Sequence, residues 1–305
     1  WIQMNTKYID LINQTFDFPQ PEFSLNDHSE LQFHNIDLMK LVEEYGTPLR
    51  FSYLPRISEK IAEAREWFRK AFVKHNYKGE YFYSYCTKSS HFEHVLTEVL
   101  KNDAHIETSS AFDINIIENL ERCGKLNKDT YILCNGFKRE QYILNIAKLI
   151  NNGYKNCIPI IDNFEEIKLL NSVIEKEFQI GIRIASEEEP KFEFYTSRLG
   201  IGYKNIQDFY SREIKGRNNI KLKMLHFFIN TGIKDNAYYW NELNKCLKVY
   251  TNLKKICPTI DSLNIGGGFP VKNSLGFDYD YEYMVDEIVN QVQLACIEAN
   301  VDVPD

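Results

Sequence analysis

Apolar positions along this chain change period many times. Between residues 56 and 76, Ile57, Ile61, Ala64, Phe68 and Phe72 recur at spacings of three and four, which puts them on one face of a helix. The same spacing predicts helices over 91–101, over a segment with Ile114, Ile117 and Leu120 that closes near Gly124, and over one with Tyr142, Ile146 and Leu149. Others carry Ile167, Leu170 and Ile174, or Trp240, Leu243, Leu247 and Tyr250. Residues 204–212 and 280–299 complete the set, the latter with Met284, Ile288 and Val292 inward. Between these helices lie short runs that are nearly continuous in apolar, aromatic or β-branched residues. They predict strands at 48–54, 80–87, 105–108, 131–134, 158–161, 178–185, 223–229 and 263–265. Such runs suit parallel strands covered by helices.

Eight strands alternating with helices in about 250 residues fit a closed (β/α)8 barrel, an α/β fold. A doubly wound open sheet is the alternative. Ahead of the barrel, residues 1–30 are polar and punctuated by Pro19 and Pro21, and read as an arm. A short strand at 31–33 and a short helix at 38–45, stopped by Gly46, follow. The domain reading is therefore an N-terminal arm over 1–46 and a barrel over 47–305. The acidic run 187–190 reads as a loop.

Composition narrows the class. Hydrophobic residues make up 44% and charged residues 26% of the 305, which excludes a disordered chain. No apolar run approaches the roughly 18 residues needed to cross a bilayer. The net charge of −7 comes from 36 basic and 43 acidic residues, well interspersed, so there is no basic footprint for nucleic acid. The seven cysteines include no CxxC pair, and several sit in apolar runs such as TYILCNG and QLACIEA. Free buried thiols in a reducing compartment, the cytoplasm, are expected. The N-terminus has no signal-peptide pattern, and Met4 reads as the natural start. The chain ends at VDVPD without an evident stop and reads as a fragment.

In barrels of this kind the active site gathers at the C-terminal ends of the strands, so unusual residues there carry weight. Lys88 ends the second strand in YSYCTKSS. Partial desolvation there would make its amine a nucleophile toward carbonyls; an ordinary exposed lysine is the alternative. Gly266, Gly267 and Gly268 follow the last strand, where backbone N–H groups can approach a phosphate; a simple turn is the alternative. Phe228 and Thr231, in LHFFINTG, could stack on a flat cofactor and donate to a phosphate, although an aromatic near a strand end is more often core. Glu107 and Arg183 are charges within apolar strands, where charges are normally paired. His91 and His94 lack a third metal ligand, and no serine has a Gly-x-Ser-x-Gly setting.

Taken in order, these segments resemble the pyridoxal-phosphate decarboxylases built on the alanine-racemase-type barrel. EEYGTPLRFSY at 43–53 resembles the entry to that barrel. YCTK at 85–88 resembles the family's Tyr-x-x-Lys, and HIETSSAFDI at 105–114 its third strand and serine turn. LHFFINTG at 225–232 and LNIGGGF at 263–269 resemble its "HFHIGS" and "LDIGGGF". CNGFK at 134–138 and VIEKEFQIGIRIA at 173–185 lean toward the biosynthetic arginine decarboxylase branch. Relatives acting on diaminopimelate, ornithine or carboxynorspermidine share the barrel.

The resemblance implies pyridoxal 5′-phosphate held by Lys88 through a Schiff base. It implies phosphate received by Gly266, Gly267, Gly268 and Thr231, and ring stacking on Phe228. Glu107 and Arg183 would lie close to the ring. An amino-acid substrate, arginine giving agmatine for polyamine biosynthesis, and a homodimer or higher oligomer of the full-length protein are implied too. Two departures stand out: Phe228 replaces the usual stacking histidine, and Asn230-Thr231 replaces Gly-Ser. The family's Glu-Pro-Gly-Arg segment and β-domain are not found in these residues, so the chain alone is expected to bind cofactor weakly and decarboxylate poorly. Rival readings are a non-catalytic regulatory barrel and a different barrel enzyme with a phosphorylated substrate.

Overall fold

The computed structural model describes residues 22–185, 199–229, 233, 236–271 and 278–305. The chain divides into two compact units, Trp1–Tyr53 with Lys272–Asp278, and Leu54–Val271 with Tyr279–Asp305.

In the smaller unit, β1 (Phe23–Leu25), β2 (Leu31–Phe33) and β3 (Ile36–Asp37) form an antiparallel sheet. Helix α1 (Leu38–Tyr45) starts at Asp37, whose Oδ1 accepts from the N–H of Met39 at 3.0 Å and Lys40 at 3.4 Å. It stops at Gly46, where φ is +79°. The strand expected at 48–54 is not one: these residues join no ladder. Pro48 and Pro55 remove N–H donors at its two ends. Its rings are engaged instead by the small sheet, with Phe51 and Tyr53 5.8 and 5.6 Å from Phe33 and Tyr53 stacked on His34 at 4.1 Å.

The larger unit follows the alternating pattern closely. Helix α2 (Pro55–His75) precedes β4 (Ser84–Cys86), α3 (Glu93–Leu100), β5 (His105–Thr108), α4 (Ala111–Arg122), β6 (Ile132–Cys134) and α5 (Glu140–Asn151). Then come β7 (Cys157–Ile161), α6 (Phe164–Val173), β8 (Phe178–Ala185), β9 (Ile201–Gly202) and the short α7 (Ile206–Phe209). The series ends with β10 (Ile220–Phe227), α8 (Asn236–Ile256), β11 (Ser262–Asn264) and α9 (Tyr281–Ala299). Seven strands form one parallel sheet in the order β4-β5-β6-β7-β8-β10-β11, with β9 beside β8.

Successive side chains on a strand point to opposite faces, and both faces are used. Ile106, Ile132, Cys134, Ile161, Ile180, Ile182, Ile184, Leu225 and Phe227 pack outward with the helices in the main core. Leu133, Ile158, Ile160 and Met224 form a separate cluster on the inner face with Tyr131. The sheet is strongly curled. In a flat sheet, β5 and β11 would stand five strand spacings, about 24 Å, apart. Yet the side chain of Asn264 on β11 donates to Glu107 on β5 at 3.4 Å. The result is a curled, seven-stranded parallel half-barrel with β4 and β11 at its margins. Seven of the eight expected strands pair in this sheet, while residues 48–53 belong to the smaller unit and join no ladder. The margin at β11 carries the last residues of the chain: the N–H of Leu263 donates to Asp305 O, and that of Asp305 to Asp261 O.

Among the described residues no helix is long and apolar enough to cross a membrane. Ile132 is wholly buried at the centre of the sheet. Ile132→Ala should therefore cost about 2–5 kcal/mol and Ile132→Val about 0.5–1.5 kcal/mol, read as lowered urea midpoints with unchanged slope.

Candidate active site

Inward positions change character as each strand rises. Leu133 is followed by Asn135, Ile160 by Asp162, Gly181 by Arg183, Met224 by His226 and Phe228, and Ser262 by Asn264 and Gly266. Polar groups thus gather at the C-terminal strand ends, at one end of a cavity of about 770 Å³ whose lining also reaches down to Tyr81, Tyr131 and Ser262. That is within the size range of small-molecule sites.

Lys88 lies in the turn just beyond β4. Its Nζ stands 4.7 Å from the centre of the Phe228 ring, and the guanidinium carbon of Arg183 stands 5.6 Å from the same centre. Cations at such distances are attracted by the ring face. The desolvation expected for Lys88 is not observed: the residue is exposed, because the turn carries it past the last ladder pair onto an open mouth.

The glycine turn shares this mouth. Gly266 has φ +67°, and a Cβ there would lie 2.7 Å from the carbonyl oxygen of Phe227 and 3.2 Å from the Phe228 ring. Only glycine lets the turn pack so closely on the end of β10. The N–H of Gly266 already donates to Asn264 Oδ1 at 2.9 Å, which alters the expectation of three free donors. Gly267 and Gly268 are exposed, and their N–H groups make no hydrogen bond among the described residues. Thr231 lies outside the described residues.

Glu107 is held from two sides. Its Oε1 accepts from Asn135 Nδ2 at 3.3 Å and its Oε2 from Asn264 Nδ2 at 3.4 Å. Asn135 Nδ2 is also 3.0 Å from His226 Nε2, and His226 Nδ1 is 3.2 Å from Asn264 O. The Cys86 thiol points at Glu107 Oε1 from 3.7 Å. Burial, reinforced by the Glu107 carboxylate, pushes this thiol up to about 11, so it remains protonated. Burial lowers the pKa of His226, opposed by Glu107.

A second charged layer supports Arg183. Lys138 folds back from the CNGFK turn with its side chain fully buried. Its Nζ donates to the carbonyls of Gly136 and Ile160 and to Glu166 Oε2, and lies 3.7 Å from Asp162 Oδ2. Asp162 in turn lies 3.9 Å from Arg183 Nε. Among the described residues neither carboxylate oxygen of Asp162 accepts a hydrogen bond, and the group lies between these two cations. Burial raises the pKa of Glu166, against the pull of Lys138. The HIETSS turn is organised by Asp113, whose Oδ2 accepts from the N–H groups of Ser109 and Ser110 and from Thr87 Oγ1.

The structure therefore brings Lys88, Glu107, Arg183, Phe228 and Gly266–268 around one cavity. Sequence reasoning missed Asn135, Lys138, Asp162, His226 and Asn264. Following the two-residue period through the last inward positions of each strand, and one step beyond β6 and β7, would have flagged all but Lys138.

A curled α/β barrel whose mouth joins an amine, a guanidinium, an aromatic face and a glycine turn is suited to a flat, anionic ligand. The family model described as "Pyridoxal-dependent decarboxylase, pyridoxal binding domain" matches residues 58–303, and the chain belongs to that family. A biosynthetic arginine decarboxylase of Prochlorococcus marinus (strain AS9601) is 27% identical over 266 residues, covering 81% of this chain and 39% of that protein. The chain thus spans about two fifths of that relative's length. Among solved structures, diaminopimelate decarboxylase from M. jannaschii in complex with L-lysine superposes with a TM-score of 0.79 at 15% identity, covering 95% of this chain and 66% of that one. The biosynthetic arginine decarboxylase of Campylobacter jejuni superposes with a TM-score of 0.70 at 19% identity, covering 93% and 49%. These likenesses show the shared alanine-racemase-like barrel fold.

Lys138→Met leaves Asp162 and Glu166 buried together with only Arg183, beside Asp162, as a nearby cation. It should cost about 3–5 kcal/mol, measurable by urea unfolding. His226 gives a pH dependence. Its pKa is depressed in the fold, so just below roughly 6.5 the unfolded chain binds a proton that the folded chain refuses. Its contribution is present above that pH and is lost as pH falls. The urea midpoint should drop between about pH 7.5 and 5.5, and drop less in His226→Gln.

Proposed function

We propose that this chain is the cofactor-binding part of a pyridoxal-phosphate-dependent decarboxylase that converts arginine to agmatine and carbon dioxide. Residues 47–305 form the cofactor domain in this reading, and the full-length protein acts as a cytoplasmic homo-oligomer in polyamine synthesis. The observation that carries the proposal is the meeting of Lys88, Phe228 and the glycine turn on one rim of one cavity. Arginine is favoured by the curated relative, whereas the M. jannaschii structure keeps diaminopimelate open as the alternative substrate.

The residues present fit the cofactor. The turn at Gly266 is a cradle that a Cβ would fill, and the amine of Lys88 sits over the ring beside it. When bound, pyridoxal phosphate supplies the conjugated system that accepts the electron pair left by the departing carboxylate. Lys88 would hold the cofactor through Nζ, at the rim beside Phe228. Gly267 and Gly268 offer N–H groups to the phosphate and Thr231 adds a hydroxyl, while Gly266 shapes the bend. Phe228 stacks on the ring but has no proton to move at its edge. Arg183 and Glu107 border the ring.

With added pyridoxal phosphate the protein should develop a visible absorption band that borohydride fixes to the chain, and Lys88→Ala should abolish it. A protein that stays colourless would instead favour a non-catalytic barrel. Product analysis of the longer parent protein with arginine, ornithine, lysine and diaminopimelate should yield agmatine from arginine; lysine formed from diaminopimelate would overturn the substrate assignment.

A further inference from the structure

The side chains of Glu107, Asn135, His226 and Asn264, together with the Asn264 carbonyl, close a circuit of hydrogen bonds across the inside of the half-barrel. The His226 Nδ1 atom faces a carbonyl, Asn264 O, which can only accept, so Nδ1 carries the proton. Nε2 is then an acceptor, and it faces Asn135 Nδ2. The amide of Asn135 has two N–H groups, one for His226 Nε2 and one for Glu107 Oε1. Asn264 returns the ring to Glu107 Oε2. Its own Oδ1 takes the N–H of Gly266, and Asn135 Oδ1 takes that of Gly136, so neither amide can flip without loss. Asn135 donates in both directions, directly to Glu107 and by way of His226 and Asn264, and Glu107 is the one member whose side chain accepts twice.

We propose that His226, Asn135 and Asn264 are positioning residues that lock the Glu107 carboxylate as a fixed anion facing the Lys88 side of the cavity. This rests on the cofactor-binding reading above. Glu107 Oε1 lies 3.7 Å from the thiol of Cys86, two residues before Lys88, and all three line the same cavity. The other charged groups near Glu107 and His226 are Arg183 on β8 and Asp162 after β7. A carboxylate that can swing away from the mouth stabilises a cation there less than one that is held. The ring therefore sets the proton affinity of the cofactor adduct at Lys88.

Two measurements on the whole chain test this. Without cofactor, histidine-selective 15N NMR should show the His226 signal, assigned by its loss in His226→Gln, as the Nδ1–H tautomer. A Nε2–H or averaged imidazole would overturn the ring. With pyridoxal phosphate, Glu107→Gln should move the pH midpoint of the visible band downward by about one pH unit, tenfold in proton affinity, because a nearby anion is lost. His226→Phe fills the space but breaks the circuit, and should move the midpoint the same way by part of that amount. His226→Gln can donate to Asn264 O and accept from Asn135, and should hold the wild-type midpoint. A purely packing role predicts the reverse ranking, and a midpoint unmoved in His226→Phe would overturn the proposal. If the wild type shows no band at all, the cofactor reading fails, while the tautomer still decides whether the ring exists.

Discussion

The structure turns on the curl of one parallel sheet. Strands covered on both faces have no solvent in which to place a polar side chain. Polar inward residues are tolerated here only because the curl lets distant strands supply partners. Glu107 on β5 meets Asn264 on β11 for this reason. Were the sheet flat, this bond would be lost, leaving Glu107 Oε2 and the Asn264 amide donor without each other. The same geometry that satisfies them leaves their remaining edges aimed at a shared mouth, and Lys88, Phe228 and the glycine turn occupy its rim.

Most of the larger unit was legible in the sequence. Long helices such as α2 and α9 and an apolar strand such as β7 announce themselves, because burial on one or both faces dictates each residue type. Element ends shifted by a few residues, as for β4, which is shorter than its aromatic run suggests. The segment 48–54 has the composition of a strand, but its aromatic rings are claimed by β2 and the turn that follows it. No local pattern distinguishes a strand that pairs from an extended segment whose rings pack elsewhere.

The site was legible in a different way. Lys88, Phe228 and the three glycines stood out as anomalies at strand ends, and the fold assembles them. The supporting layers did not stand out. Lys138 belongs to a turn that reads as solvent-exposed, and only its return beneath the loop, toward Asp162 and Glu166, makes it interior. His226 looks like one more residue in an aromatic strand until Asn135 and Asn264 are placed on either side of it. Such partnerships join residues 91 and 38 positions apart, a separation no local window spans.

The Phe228 ring is already in use before any guest arrives, since an ammonium and a guanidinium both rest within 6 Å of its centre. A planar molecule laid on that ring must share it with both cations or dislodge one. A neutral aromatic guest would gain stacking and forfeit those contacts. A guest bearing negative charge gives the displaced cations a new counterpart. Admission to this mouth is therefore an ion exchange as much as a stacking event, and flatness without charge is a poor credential for entry.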